Sequence, residues 1–157
     1  MEKRYFEDIA DGERLHCRKI TLTKGAIIKF AKKFDPQPFH IDERAGKESI
    51  FGGLVASSLH VLSACTREVV EAQGHVAILS GAGMKEIKMY NPVRPGDTLS
   101  INAWWSNLRR SNSKKHQGYA GIRCIVTNQR KEIIMDFGYR YLLACQDSPN
   151  QGFILDS

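Results

Sequence analysis

Val55-Ala56-Ser57-Ser58-Leu59-His60-Val61-Leu62-Ser63-Ala64-Cys65-Thr66-Arg67-Glu68-Val69-Val70-Glu71-Ala72-Gln73-Gly74 carries the strongest helical pattern in the chain. Its first half, with Val55, Leu59, Val61, Leu62, Ala64 and Cys65, is apolar on most sides, so the helix Leu59–Gln73 is expected inside a core rather than on a surface. Ser57 or Ser58 can cap its start, where the first N–H groups lack acceptors and carry partial positive charge. Gly74 can stop it. Thr66, Arg67, Glu68 and Glu71 mark the end that emerges toward solvent. His60, among apolar neighbours, reads as a satisfied core histidine.

Downstream of Gly74 the pattern changes to strands. His75–Ser80 and Met84–Tyr90 precede a turn at Asn91–Gly96, whose Pro92, Pro95 and Gly96 interrupt pairing. Asp97–Leu108, Gly118–Asn128 and Glu132–Ala144 follow as three long strands of alternating or β-branched composition, with Asn112–His116 as a hairpin loop. Upstream, Glu13–Leu22 reads as a strand and Lys24–Phe34 as a short helix. Asp42 caps one further helical turn through Lys47. One long buried helix followed by antiparallel strands predicts an α+β layer, with the sheet curled round the helix. The expected organisation is a single domain over 1–145 and an unassigned tail over 146–157. The exposed edges of such a sheet are commonly paired, and dimerisation is one way to do it.

Between the two helices lies Asp35-Pro36-Gln37-Pro38-Phe39-His40. Each proline disfavours the α conformation at the residue before it, so the helix should stop at Phe34 and leave a stiff extended segment. A carboxylate and an imidazole held in this way can both reach one water molecule, as general acid–base work on water requires. A helix ending at Asp-Pro with a surface histidine nearby is also ordinary loop punctuation. Phe51-Gly52-Gly53-Leu54-Val55-Ala56-Ser57-Ser58 then brings the chain to a helix N-terminus, raw material for steadying a developing oxyanion. Gly52 and Gly53 suit a tight backbone path more than direct binding.

Phe34-Asp35-Pro36-Gln37-Pro38-Phe39-His40-Ile41-Asp42, followed by Phe51-Gly52-Gly53-Leu54-Val55-Ala56-Ser57, resembles the MaoC-like dehydratases, relatives of the (R)-specific enoyl-CoA hydratases. Tyr5-Phe6-Glu7-Asp8, Gly12-Glu13, Pro92-Val93-Arg94-Pro95-Gly96-Asp97-Thr98-Leu99, Ser111-Asn112-Ser113 and Asn128-Gln129-Arg130 fall in the matching order. The resemblance covers about residues 5 to 145. It implies the hotdog fold, a homodimer or assembly of dimers with acyl-thioester sites at the interface, and no cofactor. It also implies reversible hydration of a trans-2-enoyl thioester, carried by coenzyme A or acyl carrier protein, to an (R)-3-hydroxyacyl thioester. Asp35 and His40 match the catalytic pair. Ser58 stands where the family has an oxyanion-binding glycine, so a backbone N–H remains but a side chain narrows the approach. Ser57 and Gly53 join it as substrate-binding candidates, and a further family serine falls near Ser63 or Thr66. Arg109, Arg110 and Lys114 are candidates for phosphate contacts to coenzyme A. A hotdog thioesterase is a second reading, although Glu68 and Glu71 sit at the far end of the helix from where its acid would be needed. A non-catalytic acyl-CoA binder is a third, against which the intact Asp35–His40 pair counts.

Bulk properties exclude other classes. The 157 residues, 42% of them hydrophobic, suit one globular domain. No apolar run approaches a bilayer span, and the first residues lack the apolar core of a signal peptide, so a cytoplasmic protein without membrane contact is expected. Cys17, Cys65, Cys124 and Cys145 form no Cys-x-x-Cys pair and read as buried thiols; no metal site is expected. A net charge of +6, from 23 basic and 17 acidic residues, favours an anionic partner. The basic residues are dispersed apart from Arg109-Arg110 and Lys114-Lys115, with no interleaved aromatic platform, which argues against nucleic acid.

Overall fold

The computed structural model describes residues 2–149. A 3₁₀ turn at Phe6–Asp8 leads into two short strands, β1 (Arg14–Leu15) and β2 (Ile20–Thr21), then helix α1 (Lys24–Phe34). Two further short helices follow, α2 (Pro38–Ile41) and α3 (Glu43–Glu48), before the long helix α4 (Ser58–Gln73). Four long strands complete the fold: β3 (Ile78–Met89), β4 (Thr98–Arg110), β5 (Gln117–Thr127) and β6 (Ile133–Ala144). Every strand pairing is antiparallel, in the order β1-β4-β5-β6-β3, with β2 also on β4. This is the α+β hotdog arrangement, one long helix against a single antiparallel sheet.

Alternation fixes which sheet face meets α4. Gly118, Ala120, Ile122, Cys124 and Val126 of β5 are buried, and the residues between them are half-buried on the opposite face. Val61, Cys65 and Val69 of α4 join Ile122, Cys124, Trp105 and Phe137 in one hydrophobic core. The Thr66 hydroxyl ties the helix to the Tyr139 hydroxyl at the sheet.

Helix α1 ends where the sequence places it. Thr23 caps it by accepting from the Ala26 N–H, and the Asp35-Pro36 dipeptide follows. Ser57 caps α4, and Gly74 ends it at φ 63°, in the left-handed region that glycine tolerates. Asp42 caps α3 through the Ala45 N–H.

Several expectations are corrected. The predicted strand Glu13–Leu22 is two short strands, because His16–Lys19 leave the ladder between them. His75–Ser80 and Met84–Tyr90 are not separate strands. Ile78–Ser80 and Met84–Met89 lie in the single strand β3, with His75–Ala77 and Tyr90 outside it, and its register on β6 shifts at Ile78/Ser80, Gly81/Gly83 and Lys85/Lys88 without breaking. Glu68 does not emerge into solvent; it is buried, and Arg18 bonds its carboxylate at 2.9 Å while also reaching Glu71. His60 is not a satisfied core histidine either. Its ring stacks on Phe30 at 4.6 Å, its Nδ1 is buried without a hydrogen-bond partner among the described residues, and burial lowers its pKa. All four cysteines are free thiols, with Cys65, Cys124 and Cys145 buried as expected and Cys17 only half-buried. Residues 146–149 of the unassigned tail are described, and 150–157 lie outside the described residues.

Candidate active site

The segment from Asp35 to His40 is not extended throughout. Asp35 and Gln37 keep non-helical backbone before their prolines, but Pro38 occupies the first position of α2 and His40 lies on that short helix. Proline is well suited there, since its fixed φ matches the helix and its missing N–H would have been unpaired anyway. The turn swings the His40 ring inward until the residue is only 6% exposed.

Inside, His40 Nδ1 lies 2.7 Å from the Val55 carbonyl oxygen. A carbonyl can only accept, so Nδ1 carries the proton and donates. In the neutral ring Nε2 is then the acceptor, and it faces Asp35 Oδ2 at 3.5 Å. Two acceptors at that spacing do not bond each other directly. They form a pair of sites to which one water can donate both its protons.

Asp35 is oriented as firmly as the imidazole. The Ser57 hydroxyl donates to Oδ2 at 2.6 Å, and the Gln37 side-chain amide donates to Oδ1 at 3.0 Å. The Asp35 carboxyl is held below the ordinary carboxylate range, first by the Ser57 bond and then by the Gln37 bond, against which partial burial acts. Asp35 is therefore ionised at neutral pH.

Ser57 is fully buried, and its Oγ also accepts from the Leu59 N–H as the α4 cap. Its hydroxyl is committed to the carboxylate and the helix, which leaves it no proton for a substrate oxygen. Ser58 is the first residue of α4, where a backbone N–H has no intrahelical acceptor. The start of α4 thus brings a donor next to the Ser57–Asp35 bond. Gly53 packs toward Arg94, where a Cβ would sit 3.1 Å from Nη1. Arg94 in turn donates to the Phe51 carbonyl at 2.6 Å, so the Pro92–Asp97 turn braces the Phe51–Gly53 loop. Ser63 and Thr66 turn their hydroxyls back to the Leu59 and Leu62 carbonyls.

The basic candidates are not gathered at this site within one protomer. Ala56 N–H bonds the Val93 carbonyl, so α4 begins beside the connection that enters β4. Arg109 and Arg110 lie at the other end of that strand, 13 residues long, which is roughly 40 Å at about 3.3 Å per residue. Arg110 is held by Glu7 at 2.5 Å, and Lys114 sits in the β4–β5 hairpin loop. The sequence did not point to Gln37 as a carboxylate ligand or to Val55 as the anchor of the imidazole. The position of Gln37 between two prolines, two residues from Asp35, was the one available signal for the former.

Fold and site together define a hotdog protein with an oriented Asp/His pair at the N-terminal end of its central helix. Residues 6–127 match the family model described as MaoC like domain, and the chain belongs to this family of MaoC-like dehydratases. A MaoC-like dehydratase from Rhodospirillum rubrum is 31% identical, with a TM-score of 0.82 over 92% of this chain and 99% of that one. A monoamine oxidase regulatory protein from Archaeoglobus fulgius is 27% identical, with a TM-score of 0.85 over 92% of this chain and 96% of that one. Protein MaoC of Klebsiella aerogenes is 35% identical over 100 residues, 63% of this chain but only 30% of that protein's length.

Proposed function

We propose that this chain adds water reversibly to a trans-2-enoyl thioester and yields the (R)-3-hydroxyacyl thioester. The observation that carries the proposal is the orientation of the pair: His40 Nδ1 is bound to the Val55 carbonyl while Nε2 faces Asp35 Oδ2 at 3.5 Å. Water donates one proton to Nε2 and the other to the Asp35 carboxylate, which aims an oxygen lone pair outward. As that oxygen bonds C3 of the enoyl group, the pair takes one water proton and the C2=C3 π electrons move toward the thioester carbonyl. The proton then returns to C2, so one water is added across the double bond and nothing else is consumed.

The thioester oxygen bears enolate charge during this step. The Ser58 N–H, at the start of α4, is assigned the role of receiving it, and one preorganised donor of this kind is worth about 3 to 4 kcal/mol in the transition state. The helix N-terminus adds favourable potential for the same charge. The thioester carrier, coenzyme A or acyl carrier protein, follows from the family resemblance.

The working assembly is a homodimer. Strand β3 is an edge strand of 12 residues, with Met84, Ile87 and Met89 all more than 40% exposed. An edge of this length and apolarity invites pairing with a second copy.

The test is loss of the conjugated enoyl-thioester absorbance when protein is added to a series of trans-2-enoyl-CoAs from four carbons upward, with chiral analysis of the product. Hydration to the (R) isomer supports the proposal. Release of free thiol without hydration marks a thioesterase instead, and binding with no change in absorbance marks a non-catalytic subunit.

A further inference from the structure

The sheet face turned away from α4 carries a depression that the proposed hydration does not use. In register, Ser106 pairs with Gly121, Gly121 with Arg140, and Arg140 with Gly83. One step along, Arg123 pairs with Gly138 and Gly138 with Lys85. Gly121 and Gly138 are therefore diagonal neighbours on the outer face, and neither raises a side chain from it. Neither position has room for one, since a Cβ at Gly121 would come within 2.9 Å of the Ser106 carbonyl oxygen and one at Gly138 within 3.2 Å of the Ile122 carbonyl oxygen. The resulting hollow has a volume of about 650 Å³, inside the usual range for small-ligand sites.

Its rim is cationic. Lys85, Arg109, Arg123 and Arg140 line it, against Glu86 as the one acid. Arg123 is neutralised by Asp136 at 2.6 Å, and Glu86 is directed to Lys88 at 3.7 Å. Lys85, Arg109 and Arg140 have no acidic partner among the described residues. The guanidinium carbons of Arg109 and Arg140 lie 5.0 and 4.5 Å from the centre of the Tyr119 ring. That contact restrains two otherwise free side chains and lowers the entropy lost when they grip a ligand. Register shifts between Ser106 and Arg109 and between Lys85 and Lys88 flank the hollow, and Glu86 and Asn107 take positive φ there. Bulges of this kind re-aim side chains beside binding sites.

Three cations with no acidic partner among the described residues, set round an open depression, match a compact anion of high charge. Guanidinium forks suit phosphoryl oxygens, and two linked phosphoryl groups, each bearing one to two charges, balance the rim. A second copy of the chain packed face to face would set like charge against like. A nucleic acid backbone asks for a stripe of cations rather than a ring. We propose that this outer-face depression binds the diphosphate group of a small phosphorylated molecule, at a site separate from Asp35 and His40. The proposal goes beyond the hydration reading and does not depend on it.

Calorimetric titration of the full chain with inorganic pyrophosphate, adenosine 5′-diphosphate and adenosine, at about 50 mM salt, tests it. Pyrophosphate and the diphosphate nucleotide should bind one per chain, and adenosine should not. Stronger binding of the nucleotide than of pyrophosphate would identify a nucleoside diphosphate as the ligand class, and equal binding a bare diphosphate group. Arg109→Gln and Arg140→Gln should each weaken binding at least about tenfold, whereas Lys32→Gln, an exposed lysine of α1 away from the hollow, should leave it unchanged. The phosphorus NMR signal of pyrophosphate broadens on binding and gives a readout on the unaltered chain. His40→Gln should bind pyrophosphate as tightly as the unaltered chain, and loss there would refute the separateness of the site. Absence of binding by both diphosphates, or equal weakening by Lys32→Gln, would overturn the proposal altogether.

Discussion

Replacing Ser57 with alanine removes one hydroxyl that performs two tasks. It donates to Asp35 Oδ2 at 2.6 Å and accepts from Leu59 N at 3.2 Å as the cap of α4. A hydrogen bond to a charged group is worth about 1.5 to 3 kcal/mol, and the lower figure applies because the Asp35 side chain remains 20% exposed. A lost serine cap costs about 1 kcal/mol. The two losses share one atom and are not strictly additive, so Ser57→Ala should destabilise the fold by about 2 to 2.5 kcal/mol at neutral pH. The pH dependence separates the two parts. Because the Ser57 bond depresses the Asp35 pKa in the folded state, its share of the stability is full above the unfolded value of about 3.9 and fades as pH falls through the lower folded value. The cap share does not fade. Denaturant unfolding of both proteins at pH 7 and again below pH 3 should therefore show the gap narrowing by roughly half. Hydration should follow the same logic, with the acid limb of the rate profile moving to higher pH in the variant as Asp35 regains a more ordinary pKa. A gap that stays constant with pH, or an unmoved acid limb, would refute the assignment of Ser57 as the group that sets the Asp35 charge.

Asp35→Asn and His40→Gln should each lower the hydration rate by about 10² to 10⁴ with the fold retained by circular dichroism. The double variant should be little worse than either, because both act on one water; additive losses would show independent roles. Ser58→Gly should keep activity and broaden acceptance of bulkier acyl chains, at up to about 1 kcal/mol in helix stability. A loss above tenfold on every enoyl-CoA in kinetic assays, with the protein still folded, would show that the side chain rather than the N–H binds substrate. Ile87→Lys with Met89→Lys on the β3 edge should shift sedimentation from twice 17.7 kDa toward the monomer, and an unchanged dimer would place the contact elsewhere.

Helix α1 was legible to the residue because its apolar spacing runs directly into a proline pair. The three long strands β4, β5 and β6 were legible to within two residues at either end, since alternation persists along them. The start of α2 was not, because the rule that a proline displaces helix from the residue before it says nothing against helix from the proline onward. Strand β3 looked divided because Gly81 and Gly83 interrupt the apolar pattern, yet pairing with β6 carries through both. In the candidate site the identities of Asp35 and His40 were legible from spacing and family pattern. The partner of Ser57 was not, since a serine before a helix announces a cap and not the carboxylate 22 residues earlier to which its proton goes. The burial of Glu68 likewise depends on Arg18, 50 residues away in the chain.

The acceptor that fixes the His40 ring is a main-chain carbonyl. Val55 holds the preceding residue as well, since its N–H bonds the Phe39 carbonyl at 3.2 Å while its own carbonyl receives His40 Nδ1 at 2.7 Å. Both halves of this clasp exist whatever side chain stands at position 55, provided it is not proline. The imidazole tautomer is consequently insulated from point substitution in a way that the Asp35 carboxylate, dependent on the side chains of Ser57 and Gln37, is not. Sequence drift around this loop should therefore weaken the carboxylate half of the pair first, leaving chains that still hold a correctly turned histidine beside an acid that no longer keeps its charge.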